Sequence, residues 1–205
     1  MGGPLTLAGE DAGDDPLALF RRWLAAAAEA LTLGGEAMVL ATATPDGRPS
    51  ARAVLLRGLD ERGLVFFTDT RSRKGGELAT NPRAAAVFVW PPLERQVRVE
   101  GPVAAVDDPE ADAYFATRPR GHRLAAWSST QSQEVSGREE LERRMAEAAG
   151  RYRDAEVPRP SYWGGYRLAP EAWEFWAGRE SRVHDRVLFR RLPGHGGWER
   201  ARLSP

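Results

Sequence analysis

Residues 179–186, "RESRVHDR", gather three arginines and a histidine within one short segment. As a strand, this segment places Arg182, His184 and Arg186 on one face and Val183, Asp185, Val187 and Phe189 on the other. A cationic stripe of that kind suits an anion, and Arg179, next to Glu180, reads as a loop charge. A second set of donors stands at predicted strand ends: Arg52 and Arg57 around "RAVLLR", Thr68 followed by "RSRK" at 71–74, Gln96 in "LERQV", and Gln131 with Ser132 in "STQSQ". Taken singly, each reads as a solvated charge or amide. Together they are the guanidinium, ammonium and hydroxyl groups that phosphate oxygens and a polar ring system require, which points to an anionic cofactor. Trp90, Trp127, Trp163, Trp173 and Trp176 are core residues by default, and a planar cofactor would need the same flat apolar walls.

Other chemistries find little support. The three histidines, His122, His184 and His195, have no partner at a metal-ligand spacing, so no protein-held metal is expected, and His195 in its glycine-rich turn reads as solvated. There is no cysteine, no Gly-x-Ser-x-Gly elbow, no Walker A pattern and no Gly-x-Gly-x-x-Gly. The 29 basic and 29 acidic residues cancel, which removes the general attraction for nucleic acid or membrane surfaces, so any anion must be met locally. With no apolar stretch resembling a signal peptide or spanning helix, a cytoplasmic protein is expected. Lys74 is the one lysine among the 29 basic residues, the rest being arginine. Where arginine has replaced lysine so generally, a retained lysine marks a place that wants a compact ammonium.

These groups need elements to hold them. Residues 1–14 are glycine-rich, lack aromatics and are expected to form a flexible arm, followed by a single domain over 15–205. Asp15 and Pro16 read as the N-cap and first residue of a helix, "PLALFRRWLAAAAEALT", that stops at Gly34-Gly35. From 37 the period shortens: "AMVLATAT", "ARAVLLRGL", "LVFFTDT", "AAAVFVW" and "RQVRVEGPVAAV" predict five strands, joined by turns and by the segment "RSRKGGELATNPR". Mostly tight connections argue for an antiparallel meander closing as a barrel. Helices follow at "DDPEADAYFATR", "GHRLAAWSS" and "GREELERRMAEAAGRYR", the last with a capping box of Ser136 and Glu139. Strands resume at "YWGGYRLA", "EAWEFWA", "SRVHDRVLFRRL" and "WERARL". The class is α+β: an antiparallel β-barrel with an N-terminal helix and inserted helices.

The ordered blocks "RAVLLR", "GLVFFTDTRSRKGGEL", "NPRAAAVFVW", "LERQVRVEG", "YFATRPR", "AAWSSTQS", "PSYWGGYRL", "EFWAGRESRVHDR" and "RLSP" resemble the FMN-dependent pyridoxamine (pyridoxine) 5′-phosphate oxidases from about Asp15 to Pro205. The resemblance implies a split β-barrel and a homodimer with FMN at the subunit interface. It implies FMN-phosphate contacts at Arg52, Arg73 and Lys74, and other FMN contacts at Phe67, Thr68, Gln96, Gln131, Ser132, Trp176 and Arg186. Tyr114 and Arg118 match groups that hold the substrate phosphate, and Arg182 and His184 match the catalytic pair over the substrate ring. The implied reaction passes a hydride from the substrate's C4′ to the flavin, which O2 reoxidises with release of H2O2.

Three departures bear on the substrate. Arg57 stands where a substrate-binding lysine is usual, His122 where a phosphate-binding serine is usual, and residues 1–15 lack the basic segment that covers the substrate in well-known members. Both Arg57 and a protonated His122 can still hold phosphate. The phenazine-biosynthesis oxidases, relatives acting on reduced tricyclic substrates, are the alternative reading, and a non-catalytic flavin-binding protein is a third. Tyr114, Arg118, Arg182 and His184 favour vitamin B6 chemistry.

Overall fold

The computed structural model describes residues 7, 12–31, 34–194 and 196–205. The expected arm over 1–14 therefore lies mostly outside the described residues, as does His195, and of its apolar side chains Leu7 and Ala12 are seen, both buried.

Helix α1 (Pro16–Ala30) starts as its sequence dictates, with the Asp15 carboxylate accepting the Leu17 N–H at 2.9 Å and proline in the first turn. Leu19, Phe20, Trp23 and Ala27 recur on one face and are buried. Phe20 meets Phe88 and Trp173 at ring distances of 4.9 and 5.1 Å, and Trp23 meets Phe175 edge-on at 5.4 Å. The helix thus covers the inner face of the sheet, and burying this many rings supplies much of the driving force for folding.

Among the described residues ten strands form the antiparallel sheet: β1 (Ala37–Ala43), β2 (Pro49–Leu55), β3 (Gly58–Asp60), β4 (Gly63–Asp69), β5 (Arg83–Trp90), β6 (Arg95–Ala105), β7 (Trp163–Leu168), β8 (Ala172–Ala177), β9 (Asp185–Arg191) and β10 (Trp198–Arg202). One run of neighbours is β10-β9-β8-β6-β5-β1-β2. Strand β6 belongs to two partners in turn, pairing β8 over Arg95–Glu100 and β7 over Val103–Ala105. Between these stretches stands Gly101, where a Cβ would lie 2.0 Å from the Ala169 carbonyl oxygen, so only glycine permits the crossing. β7 pairs β4, and the Arg57 N–H reaches the Val65 carbonyl at 2.8 Å, which ties the end of β2 to β4 and curls the sheet into a split barrel. The α+β reading holds, with β3 as one strand more than expected before residue 106.

Four further helices are α2 (Arg73–Thr80), α3 (Asp108–Thr117), α4 (Arg120–Ser128) and α5 (Arg138–Arg151). α2 corrects the reading of 71–83 as a plain connection: Ser72 caps the helix, accepting the Gly75 N–H. The expected capping box of Ser136 and Glu139 does not form: Gly137 takes the N-cap position of α5, and the Glu140 carboxylate accepts both the N–H and the hydroxyl of Ser136, at 2.8 and 2.6 Å. A larger correction falls on 181–192. Residues Glu180–Arg182 form a 3-10 turn in which Ser181 and Arg182 are both left-handed, at φ 58° and 60°, and β9 starts only at Asp185. Strand alternation therefore does not link Arg182 and His184 to Arg186.

Candidate active site

An open cleft of about 1090 Å³ runs along β2. Its walls are β2, the end of β4, the start of α2, the facing sides of α3 and α4, and the loop after α4. Eleven of the expected site residues line it: Arg52, Arg57, Phe67, Thr68, Arg73, Lys74, Tyr114, Arg118, His122, Gln131 and Ser132.

At one end the donors gather around α2. Gly75 lets its first turn settle on the β4–α2 turn, since a Cβ there would stand 2.0 Å from the Thr70 carbonyl oxygen. That approach buries Lys74, whose ammonium donates to Thr68 Oγ1 at 2.8 Å, Gln131 Oε1 at 2.9 Å and Ser72 Oγ at 3.2 Å. All three acceptors are neutral, so among the described residues no carboxylate touches this charge. Burial and the nearby Arg52 bring the Lys74 ammonium down to about 8, with Asp69 acting the other way. The Ser132 hydroxyl accepts the Arg73 N–H at 3.2 Å, which joins the loop after α4 to α2. Asp69 is held by Arg71 at 2.7 Å, and that guanidinium lies 3.3 Å over the Tyr162 ring. Against the opposing effect of burial, the hydrogen bonds from Arg71 keep the Asp69 carboxyl below its ordinary range.

The other end is aromatic with a cation set into it. Phe67, Tyr114 and Trp163 stack nearly parallel, with ring distances of 4.0 Å between Phe67 and Tyr114 and 5.4 Å between Phe67 and Trp163. Arg118 caps the C-terminus of α3 and lies 4.6 Å over the Trp163 ring. Its Nη1 is buried with no hydrogen-bond partner among the described residues, and burial pushes its guanidinium below the ordinary range, with Arg57 pressing the same way. A buried donor left unpaired costs about 1–3 kcal/mol, so a ligand oxygen is the natural partner for it. Arg57 pairs with Glu36 at 3.2 Å, which holds it at the cleft mouth.

Gln96, Trp176, Arg182, His184 and Arg186 do not line this cleft. Register places Val89 opposite Gln96, Gln96 opposite Trp176, and Trp176 opposite Arg186, one row across β5, β6, β8 and β9 on a single face of the sheet. The His184 ring stands 4.6 Å from Trp176, and its Nδ1 accepts the Arg179 N–H at 3.1 Å, which places the proton of a neutral His184 on Nε2. Arg179, expected as a loop charge, pairs with Asp185 at 2.7 Å and so braces this turn. Arg186 is held by Glu174 at 2.8 Å and donates to the Ser204 carbonyl at 2.8 Å. The same sheet face carries Val39, Leu55 and Val89, exposed at 43, 44 and 52%. The expected residues thus fall into two groups, here called half-sites: one lines the cleft, and the other stands around the Gln96–Trp176–Arg186 row on the sheet face that carries these exposed apolar side chains.

Of the tryptophans, Trp90 and Trp173 are core, Trp127 packs between α4 and α5, Trp163 walls the cleft and Trp176 belongs to the second half-site. Sequence reasoning missed Glu77 and Glu174, the buried acids behind the cations of each half. For Glu77 the i,i+4 spacing from Arg73 was a usable signal. The residues fit a phosphorylated cofactor and a second, flat anionic ligand: a buried ammonium with only neutral partners beside Arg52 and Arg73 for the one, and an orphaned guanidinium nitrogen beside a stack of rings for the other. Among the described residues no group of three acidic or histidine side chains could hold a metal, and no helix is long and apolar enough to cross a membrane.

Comparison with known proteins agrees with this geometry. Residues 24–152 match the family profile "Pyridoxamine 5′-phosphate oxidase", and 163–205 match "Pyridoxine 5′-phosphate oxidase C-terminal dimerisation region", which contains most of the second half-site and supports a homodimer. The chain is 56% identical to a pyridoxine/pyridoxamine 5′-phosphate oxidase of Rubrobacter xylanophilus, over 97% of this chain and 91% of that one. It is 55% identical to the protein of that name from Cupriavidus necator, over 98 and 93%. Among solved structures, PhzG from Burkholderia lata in complex with tetrahydrophenazine-1-carboxylic acid superposes with a TM-score of 0.90 at 32% identity, over 99% of this chain and 100% of that one. The chain belongs to the pyridoxamine 5′-phosphate oxidase family, which implies an oxidoreductase that uses a flavin.

Proposed function

We propose that the protein oxidises pyridoxamine 5′-phosphate or pyridoxine 5′-phosphate to pyridoxal 5′-phosphate, with FMN as its cofactor. The alcohol reacts with O2 to give aldehyde and H2O2; the amine also consumes water and releases ammonia. The observation that carries this reading is the unpaired, buried Arg118 Nη1 in a cleft walled by stacked rings, in a chain 56% identical to a relative of that name. A phosphate oxygen satisfies that donor, and a flat pyridine ring suits the Phe67–Tyr114–Trp163 stack.

When bound, FMN supplies a two-electron acceptor that O2 can reoxidise. Arg52, Arg73 and Lys74 hold its phosphate, while Phe67, Thr68, Gln131 and Ser132 meet its ring and side chain. Arg118, Tyr114, Arg57 and His122 hold the substrate phosphate, so the distance between the two anion sites orients the substrate. Gln96, Trp176 and Arg186, with Arg182 and His184 over the reacting ring, come from a second copy of the chain across the Val39–Val89 strip. This division is supported by the two separate half-sites and by the dimerisation region at 163–205.

The test is anaerobic mixing of FMN-loaded protein with each candidate donor. Pyridoxamine 5′-phosphate or pyridoxine 5′-phosphate is expected to bleach the visible flavin band, and air to restore it. Bleaching by a reduced phenazine precursor alone would move the protein to the other branch, and bleaching by none would leave a flavin carrier.

A further inference from the structure

Behind the cations of the cleft sits a carboxylate to which the family comparison gives no task. Glu77 in α2 is 5% exposed. Its Oε1 accepts from Arg73 Nε at 2.9 Å, and its Oε2 from Ser50 Oγ at 2.6 Å, from Thr42 Oγ1, and from Arg52 Nη2 at 3.4 Å. The same hydroxyls serve Arg52, whose Nη1 donates to Thr42 Oγ1 at 2.6 Å and whose Nη2 donates to Ser50 Oγ at 2.5 Å. Pairing of β1 with β2 sets Thr42 opposite Ser50 and Leu40 opposite Arg52, so the strand register builds this network. Burial opposes ionisation of Glu77, but the bonds from Ser50, Thr42 and Arg73 outweigh it and hold the carboxyl at about 2.

A negative charge beside an anion site weakens its Coulomb attraction, so Glu77 must contribute something other than charge. What it contributes is geometry. It engages Arg73 through Nε, and among the described residues no hydrogen bond occupies that fork's two terminal nitrogens. It also fixes one corner of the Arg52 fork. Three cations and one carboxylate leave two net positive charges, the complement of a phosphate monoester of charge about −1.5 to −2. We propose that Glu77 is a positioning residue that aims Arg52 and Arg73 and sets the preference of the cleft for a phosphorylated flavin over the unphosphorylated one. This rests on the reading of the cleft as the flavin-phosphate site.

The experiment measures dissociation constants of FMN and riboflavin for flavin-free wild type and Glu77→Gln, by flavin fluorescence. Glu77→Gln is expected to lose FMN affinity on the order of tenfold while riboflavin affinity stays within about twofold. Equal losses for both flavins would mean a merely structural role, and unchanged or tighter FMN binding would mean that removal of charge dominates; either overturns the proposal. Wild type with no preference for FMN would instead overturn the reading of the cleft itself. Should Glu77→Gln not fold, Thr42→Val carries the same test, because Thr42 lies behind Arg52 and outside the cleft lining. It is expected to show the same selective loss at smaller size, and unchanged selectivity in the folded variant refutes the role.

Discussion

With Lys74 at the FMN phosphate, as proposed, FMN binding depends on pH in a way that can be worked from the structure. Lys74 is 5% exposed, the contacts of its ammonium are neutral, and it titrates at about 8 rather than at the ordinary 10.5. A bound phosphate favours the charged form, so FMN uptake and protonation of Lys74 are linked. Take the bound lysine to titrate at or above its ordinary value. Then at pH 9 only about 9% of the free protein carries the proton, and FMN affinity falls about tenfold below its value at pH 7, while each FMN bound takes up about 0.9 proton. At pH 7 the uptake is about 0.1 proton. The second ionisation of the phosphate, near pH ~6, releases about 0.1 proton on binding at pH 7 and almost none at pH 9, so it offsets the small uptake at pH 7 and leaves that at pH 9 intact. Stability of the flavin-free protein moves the opposite way. A lysine whose pKa falls on folding destabilises the fold wherever it is protonated, fully below about 8, and the cost fades as pH rises to the ordinary 10.5. Calorimetric titration at pH 7, 8 and 9, in two buffers of different ionisation enthalpy, measures affinity and proton uptake together. Riboflavin is the control, with no uptake expected, and Lys74→Met should abolish uptake with FMN. An FMN affinity flat from pH 7 to 9 without proton uptake would refute the reasoning.

Other expectations concern folding, substrate and assembly. Gly75→Ala forces a Cβ against the Thr70 carbonyl and should cost about 2–3 kcal/mol in urea unfolding, whereas Gly76→Ala meets nothing within 4 Å and should gain up to about 1 kcal/mol from helix propensity. Arg118→Met should raise KM for the phosphorylated substrate about 100-fold with FMN content unchanged, since it removes a buried charge-assisted contact worth up to ~3 kcal/mol. Lys74→Met and Arg186→Met chains should each hold little FMN alone. Co-expressed in equal amounts they should recover about a quarter of wild-type FMN content, because half of the dimers are mixed and each mixed dimer keeps one intact site of two. No recovery would place both half-sites in one chain.

What the sequence makes legible here is whatever depends on local spacing. Asp15-Pro16 predicts the start of α1, and the two-residue alternation predicts the strands before 106, because caps and pleats are properties of neighbours in the chain. Residue type at strand ends picked out a donor set, but the roles within it, and Phe67, Tyr114, Arg118 and His122, came from a resemblance to a family, since nothing in the spacing of Thr68 and Gln131 says that both meet the ammonium of Lys74. α2 was lost because the pair Gly75-Gly76 has poor helix propensity, which left 71–83 as a plain connection. Glycine at 75 is there for a close approach to Thr70 that only the folded chain reveals. The "RESRVHDR" stripe failed for a related reason: Ser181 and Arg182 adopt left-handed backbone conformations that no propensity assigns to them, so alternation stops before β9 begins. Such conformations are costly, about 1–3 kcal/mol each, and persist only where the surroundings over-determine them. Here the His184 Nδ1 bond to Arg179 N and the Arg179–Asp185 pair span the turn and hold it. Arg182 and His184 are therefore set by a braced turn rather than by a strand, which frees the His184 ring from the pleat and lets it stand 4.6 Å from Trp176, at the edge of the row that Gln96, Trp176 and Arg186 define.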